Sequence, residues 1–173
     1  DACSRNGDMS VQAKAYHLAQ VNIGRFIKPV EDPANADFVN ALDHVNALAD
    51  ASPGFVWRLK GEGSGAIDIK PFPDPQMAIN MSVWESVDAL GAFVYRNMEH
   101  RGVMRRRREW FEPREVYMAL WWVPAGRLPT IEDAKAKLDL LERLGPTPEA
   151  FTFKQPFPPP SGVAANPVLD ECA

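Results

Sequence analysis

Alternating and helically spaced apolar residues divide the chain into strands and helices. Alternating side chains predict strands over residues 16–23 and 77–84, and aromatic and β-branched residues favour a strand over 55–60; residues 116–123 are predicted as a fourth strand. Apolar residues at helical spacing predict helices over residues 35–51, from Ser86 through Val94, 99–111 and 130–144. Ser86 is the expected N-cap of the second helix, and the fourth opens with a capping box at Thr130.

The predicted order of elements is β-α-β-β-α-β followed by one more helix. This order predicts an α+β, ferredoxin-like fold: an antiparallel sheet with helices on one face, plus a C-terminal helix and an extended tail. We expect one domain over residues 15–157. Residues 1–14 are expected to be a disordered leader or tag remnant, and the Pro-rich residues 158–173 a disordered tail.

The second face of this sheet also carries large apolar residues, and exposure of a continuous apolar patch to water is unfavourable. Met, Trp and Tyr occur on both faces of the strands, so we expect a second copy of the chain to cover the free face in a homodimer. Trp121 and Trp122 point to opposite faces. One should therefore meet the helices and the other the partner.

Composition and charge narrow the class of protein. The chain has 173 residues, 46% of them hydrophobic, and a formal net charge of −4. This charge argues against a nucleic-acid partner, and no apolar run approaches the roughly 20 residues that span a bilayer. We expect a soluble, cytoplasmic protein. Cys3 and Cys172 have no metal-site spacing and are expected to be free thiols, with pairing between the termini as the alternative.

A long connection lies between the second and third strands. Residues 61–75 begin with glycines and end with alternating prolines, where two residues would close a hairpin. We expect either a lid that covers a ligand with Ile67, Ile69 and Phe72 or an insertion that packs on the partner subunit.

Polar side chains share strand faces with few aliphatic neighbours. Gln20 and Asn22 lie on one face of the first strand, and Asn80, Ser82 and Trp84 share a face of the third. Together with Arg58 and Tyr117 they predict a cleft for a planar polar ligand. The alternative is that these groups form hydrogen bonds at a wet dimer interface or a strand edge.

Histidine and arginine supply the candidate charged chemistry. His100 could act as a general base or as a haem ligand; the alternative is a hydrogen-bonded residue at a helix break. His17 and His44 have no partner at a metal-binding spacing, so no metal site is predicted. Residues 105–108 are consecutive arginines, of which at least one should face the protein and pair with Glu99 or Glu112. Arg105 is a candidate to bind a substrate carboxylate.

The segment WESVDALGAFVYRNMEHRGVMRRRREWF resembles the dimeric α/β-barrel superfamily, which includes the antibiotic-biosynthesis monooxygenases. With HLAQVNI, ASPGFVWRL, LWWVPAG and GPTPEAFTF, the chain is similar over residues 16–157 to a bacterial family of unknown function within it. The resemblance implies a fold and a dimer. Asn22 and His100 match positions of the haem-degrading branch, but Leu90 stands where that branch has tryptophan.

These observations leave three hypotheses. The first is an enzyme of the cofactor-independent monooxygenase type that acts on an aromatic or polyketide-like substrate. His100 would move the proton, and Asn22 and Arg58 would hold an enolate or peroxide oxygen. The substrate would be bound by Gln20, Asn80, Trp84, Tyr117, Trp121 and Arg105. The second is a non-catalytic dimer that binds a ligand or haem, and the third a structural dimer with a vestigial cleft.

Overall fold

The computed structural model describes residues 15–62 and 66–160, which contain a four-stranded antiparallel sheet. The strands are β1 (Tyr16–Arg25), β2 (Phe55–Arg58), β3 (Met77–Trp84) and β4 (Met118–Pro124). They lie in the order β2-β3-β1-β4, with β1 paired to both β3 and β4. This topology confirms the predicted ferredoxin-like α+β fold. The predicted and observed bounds of β3 coincide.

Two of the α-helices in the described residues begin at the predicted caps, Ser86 and Thr130. The α-helices are α1 (Ala36–Asp50), α2 (Val87–Gly91), α3 (Met98–Arg105), α4 (Arg107–Trp110) and α5 (Ile131–Leu144). A 3₁₀ turn, Pro33–Asn35, precedes α1, and a π-helical turn, Ala92–Arg96, follows α2. The Ser86 hydroxyl accepts a hydrogen bond from the Ala89 N–H, and Thr130 forms the predicted capping box with Asp133.

The single helix predicted over residues 99–111 is interrupted. Arg106 leaves the helical conformation, with φ −88° and ψ 0°, and divides the segment into α3 and α4. The interruption brings Trp110 and Phe111 into a buried cluster with Phe26. Burial of these rings offsets the loss of the backbone hydrogen bonds that a continuous helix would have formed.

One sheet face carries a dry apolar core. It includes Val21 of β1, Met81 of β3 and Trp121 of β4, all at most 3% exposed. Helix α5 packs on this face through its buried residues Ala134, Leu138 and Leu141. The expectation that a partner subunit is needed to cover this face is therefore wrong, because the chain covers it with its own C-terminal helix. Trp121 accordingly meets α5, not a partner.

The connection between β2 and β3 runs along both sides of the sheet edge. Ile69 and Phe72 pack against the dry core under α5, whereas Ile67 packs beside Phe26 on the other side. The predicted lid is thus wrong for Ile69 and Phe72, which pack on the far face; of the three predicted lid residues, Ile67 alone lines the cavity described below.

The chain beyond β4 also packs on the sheet. Phe151 pairs with Leu120 through backbone hydrogen bonds, and the indole N–H of Trp122 donates to the Phe157 carbonyl at 2.9 Å. The predicted leader, most of the predicted tail, Cys3 and Cys172 lie outside the described residues. Within 15–62 and 66–160, no helix has the length and hydropathy needed to cross a membrane.

Candidate functional site

A cavity of about 250 Å³ lies between the other face of the sheet and the helices α1 to α4. Its walls are largely apolar and aromatic, and a few polar groups converge on it, as is usual for small-molecule sites. The volume lies just below the roughly 300–1,000 Å³ typical of drug-sized ligands. Lining side chains include Gln20, Asn22, Phe38, Leu42, Phe55, Arg58, Asn80, Ser82, Trp84, Phe93, His100, Arg107, Phe111 and Tyr117.

The floor of the cavity is a hydrogen-bonded network of side chains from β1 and β3. These meet because residues 20 and 82, and residues 22 and 80, are directly opposite in the register. The Gln20 amide donates to Asn80 Oδ1 at 2.8 Å and to Ser82 Oγ at 2.9 Å. Asn22 Nδ2 lies 3.4 Å from Gln20 Oε1, and the Trp84 indole donates to Ser82 Oγ at 2.9 Å.

This network leaves amide donors of the floor unpaired. Asn80 Oδ1 accepts from Gln20, and Ser82 Oγ accepts from both Gln20 and Trp84. The amide N–H groups of Asn80 have no acceptor among residues 15–62 and 66–160. A ligand that meets this floor is therefore favoured when it presents oxygen acceptors.

His100 lies near the start of α3 and lines the cavity from the helical side. Its Nδ1 donates to the Val94 carbonyl at 3.1 Å, so in the neutral ring Nε2 carries the lone pair. The ring packs against Phe93, with centroids 4.8 Å apart. Burial lowers the pKa of His100, and this exceeds the opposite effect of the Val94 carbonyl. At neutral pH the imidazole is therefore a neutral base.

Arg107 is the arginine of the 105–108 run that lines the cavity. Its Nη2 donates to the Ile23 carbonyl at 2.9 Å, and its Cζ lies 5.0 Å from the ring centroids of Phe111 and of Tyr117. Burial lowers the pKa of this guanidinium, although Tyr117 acts in the opposite direction. In the part of the chain that the structure describes, no carboxylate pairs with it.

Gly24 of β1 makes room for this arrangement. A Cβ at this position would lie 2.6 Å from Cδ1 of Phe111 and 3.2 Å from Nη2 of Arg107. The Phe111 contact is closer than a real Cβ permits, and Phe111 is buried at 5% exposure. A glycine at residue 24 is thus what allows the ring and the guanidinium to lie directly on the strand.

Arg58 ends β2 and is held from α1. Its Nε donates to Asp50 Oδ1 at 2.7 Å, and its Nη2 to Oδ2 at 3.2 Å. The hydrogen bond from Arg58 lowers the pKa of Asp50 despite some desolvation. Arg58 therefore lines the cavity as one half of an ion pair, and its charge is already balanced by Asp50.

Most of the predicted site residues come together. Those that line the cavity are Asn22, Arg58, His100, Gln20, Asn80, Trp84 and Tyr117. Two predicted members do not join them. Trp121 lies on the opposite sheet face under α5, because neighbouring residues of a strand point to opposite sides. Arg105 is exposed on the outer side of α3.

Sequence reasoning missed Arg107, although a signal was present. Val103, Arg107 and Phe111 are spaced by four residues, which places them on one side of a helical segment. Val103 and Phe111 belong to the same apolar cluster, so the arginine between them was the one to face inward. Arg106 instead forms ion pairs with Asp37 and Glu109, which are not the predicted partners Glu99 and Glu112.

The cavity does not suit haem. Its volume of about 250 Å³ fits a body of one or two fused rings rather than a four-ring macrocycle. In residues 15–62 and 66–160, no group of three His, Cys, Asp or Glu side chains is placed to hold a metal ion. His44 pairs with Glu99 at the surface between α1 and α3.

Comparison with known proteins identifies relatives of unknown activity. A family model described as "Domain of unknown function (DUF3291)" matches residues 17–166. No curated protein matches the sequence.

Solved structures give further similarities. A Pseudomonas aeruginosa protein is 10% identical (TM-score 0.44, 67% of this chain and 98% of that one). A Chloroflexus aurantiacus protein provisionally named an antibiotic biosynthesis monooxygenase is 14% identical, with a TM-score of 0.41 over 66% of this chain and 98% of that one. A Nitrosomonas europaea protein of unknown function is 19% identical, with a TM-score of 0.41 over 68% of this chain and 98% of that one. The fold assignment rests on the strand order and register described above.

Proposed function

Because the chain belongs to the DUF3291 family, a family of unknown function, we propose a function from the cavity itself. The protein is a small-molecule enzyme of the cofactor-independent monooxygenase type, acting on an aromatic or polyketide-like substrate. The observation that carries this proposal is the neutral imidazole of His100 in one largely apolar cavity with the unpaired amide donors of Asn80.

The chemistry follows from these two elements. His100 Nε2 takes a proton from an acidic carbon of the substrate and leaves an enolate. The N–H groups of Asn22 and Asn80 stabilise the enolate oxygen by hydrogen bonds. The carbanion gives its electrons to dioxygen and a carbon–oxygen bond forms; His100 returns the proton to the distal oxygen. Loss of water from this hydroperoxide leaves a carbonyl, so one dioxygen is consumed and one water is released.

Arg58 has a smaller part than the sequence suggested. Its guanidinium is held by Asp50, so it orients the cavity wall at β2 and is not a free cation for a peroxide oxygen. This pairing favours a second candidate, a non-catalytic protein that binds the same class of ligand. Homodimerisation, which the family resemblance implies although α5 covers the sheet face that was expected to need a partner, belongs to the proposal, as does a cytoplasmic location.

The experiment uses 1,3-dihydroxynaphthalene, a two-ring compound whose keto tautomer has an acidic carbon. We expect dioxygen uptake and formation of the hydroxynaphthoquinone, measured with an oxygen electrode and by mass spectrometry with labelled dioxygen. His100→Gln should reduce the rate by at least about 100-fold, since general-base catalysis contributes about 10²–10⁴-fold. His44→Gln is the matched control, because His44 lies at the surface.

Two results would contradict the enzyme proposal. One is equal turnover by His100→Gln and the parent protein at matched thermal stability. The other is the absence of uptake above the uncatalysed rate although the compound binds, which would favour the non-catalytic ligand-binding protein.

A further inference from the structure

We propose that Arg107 is an anion anchor and that the natural ligand of this cavity is an aromatic carboxylate. The inference rests on the small-molecule binding part of the proposed function and is independent of the dioxygen chemistry. It assigns a ligand class to a site that the family description leaves unassigned.

The first step is the position of the guanidinium. Phe111 and Tyr117 flank it, each with its ring centroid 5.0 Å from Cζ, and the Ile23 carbonyl takes one N–H of Nη2. The remaining N–H groups have no protein acceptor within residues 15–62 and 66–160. An arginine fixed by stacking and by one hydrogen bond keeps a planar set of donors for a second oxygen ligand.

The second step is a comparison with the other arginines of the chain. Arg25 pairs with Asp74 at 2.6 Å and with Glu112 at 2.8 Å, and Arg58 pairs with Asp50. Arg106, directly beside Arg107, pairs with Asp37 and Glu109. Arg107 is more desolvated than Arg106, yet the described residues supply it with no carboxylate. Other arginines without a carboxylate partner in that part of the chain, such as Arg105 and Arg108, are exposed to water. A half-buried cation without a counter-charge loses part of its hydration, and a ligand carboxylate would offset that loss.

The third step is the shape of the remaining space. Phe38 and Phe111 form apolar wall next to Arg107, and the amide floor of β1 and β3 presents donors on another side. A two-ring aromatic acid matches both: its carboxylate meets the guanidinium, its rings meet the apolar wall, and a further oxygen meets Asn22 or Asn80. A dianion is disfavoured, because no second unpaired cation has been found in the cavity among the described residues.

The test compares a charged probe with a neutral probe of nearly the same shape. The probes are 1-naphthoate and 1-naphthamide, titrated separately into the full chain by isothermal titration calorimetry. We expect the wild-type protein to bind the acid at least about tenfold more tightly than the amide, the effect of one charge-assisted bidentate contact. Equal affinities, tighter binding of the amide, or no binding of the acid would overturn the proposal.

Variants then assign the preference to the residue. Arg107→Gln should abolish the tenfold preference, and Arg107→Met, which keeps the apolar stem, should do the same if the Gln variant is unstable. Arg105→Gln is the matched control, because Arg105 is exposed on the outer side of α3 and should retain the preference. A preference that survives in a folded Arg107 variant would contradict the assignment.

Failure of the anchor and failure of the enzyme proposal are distinguishable. His100→Gln should lose turnover of 1,3-dihydroxynaphthalene while it retains the preference for naphthoate. A wild-type protein that prefers naphthoate but consumes no dioxygen would retain the anchor and lose only the reaction. One that consumes dioxygen but shows no acid preference would lose only the anchor.

Discussion

Along β1, alternate residues face two different environments. Val21 and Ile23 point into the dry core under α5, whereas Gln20 and Asn22 point into the cavity under α1 to α4. On the first face the β1 side chains in the core, Ala19, Val21 and Ile23, are apolar, and on the second Gln20 and Asn22 belong to a connected hydrogen-bonded network. The dry face is close-packed like a protein interior. The cavity face leaves an open volume next to amide N–H groups of Asn80 that have no acceptor among the described residues.

This difference separates two tasks that many folds combine. The C-terminal helix closes the dry face, and within the described part of the chain that face keeps no polar network. The cavity side also contains buried apolar residues such as Trp84, but it keeps polar groups and empty volume beside them, which are costly in a packed core. Substitutions on the dry face should therefore change stability alone, and substitutions on the cavity face should also change ligand binding.

The largest expected effect is the loss of a tryptophan on the dry face. Trp121→Ala should lower the free energy of unfolding by about 3–5 kcal/mol, because it removes a buried ring and leaves a cavity. Urea unfolding measures this loss. Trp84→Ala is the matched variant on the other face: it should cost similar stability but also weaken binding of 1-naphthoate. A folded Trp121 variant with weakened naphthoate binding would contradict the separation of the two faces.

A smaller effect is expected for the ion pair at the edge of the cavity. Asp50→Asn should cost about 1.5 kcal/mol, the lower end for a hydrogen bond to a charged group, because Asp50 is partly exposed. Asp139→Asn is the control, since its pair with Arg143 is exposed and should contribute no more than about 0.5 kcal/mol.

The sign of the pH dependence tests the same pair. The hydrogen bond from Arg58 lowers the pKa of Asp50, so its stabilising effect is present above the ordinary aspartate pKa of about 3.9. It is lost as the pH falls through the pKa of the folded state. Unfolding curves of the parent and Asp50→Asn should therefore converge in acid; a constant difference down to the lowest pH would argue against the pair.

The smallest expected effect is the titration of His100. Burial lowers its pKa, so the folded protein binds fewer protons than the unfolded chain below the ordinary histidine pKa of about 6.5. The parent should lose stability relative to His100→Gln as the pH falls from 7.5 to 5.5, and the difference should be constant above pH 7. Chemical unfolding at each pH measures it. A parent that gains stability on acidification would show that His100 is not desolvated in solution.

Local signals in the sequence account for the parts of the fold that were predicted well. β3 alternates strictly from Met77 to Trp84, and its observed bounds are the predicted ones. Ser86 and Thr130 both cap helices as expected, because a hydroxyl before a helical pattern acts on neighbouring backbone groups. Such signals depend on a few adjacent residues and need no knowledge of the rest of the molecule.

Long-range choices could not be predicted in this way. Alternation showed that Val21 and Met81 are buried, but it could not show that α5 of the same chain covers them. The outcome depends on the path of the chain after β4. The interruption of the predicted helix at Arg106 likewise accompanies the burial of Trp110 and Phe111 against Phe26, a contact that is distant in sequence. The cavity residues of β1 and β3 were predictable because strand alternation and register suffice to place them.

The close approach at Gly24 has a consequence for comparing sequences within the family. A larger residue at this position collides with Phe111 and crowds Arg107, so the three positions are expected to change together. Relatives that retain all three should share a preference for anionic ligands, and relatives with a bulkier residue at the first should carry a smaller side chain or a different charge at the others. Covariation among three columns of an alignment would thus sort the family by ligand charge before any activity is measured.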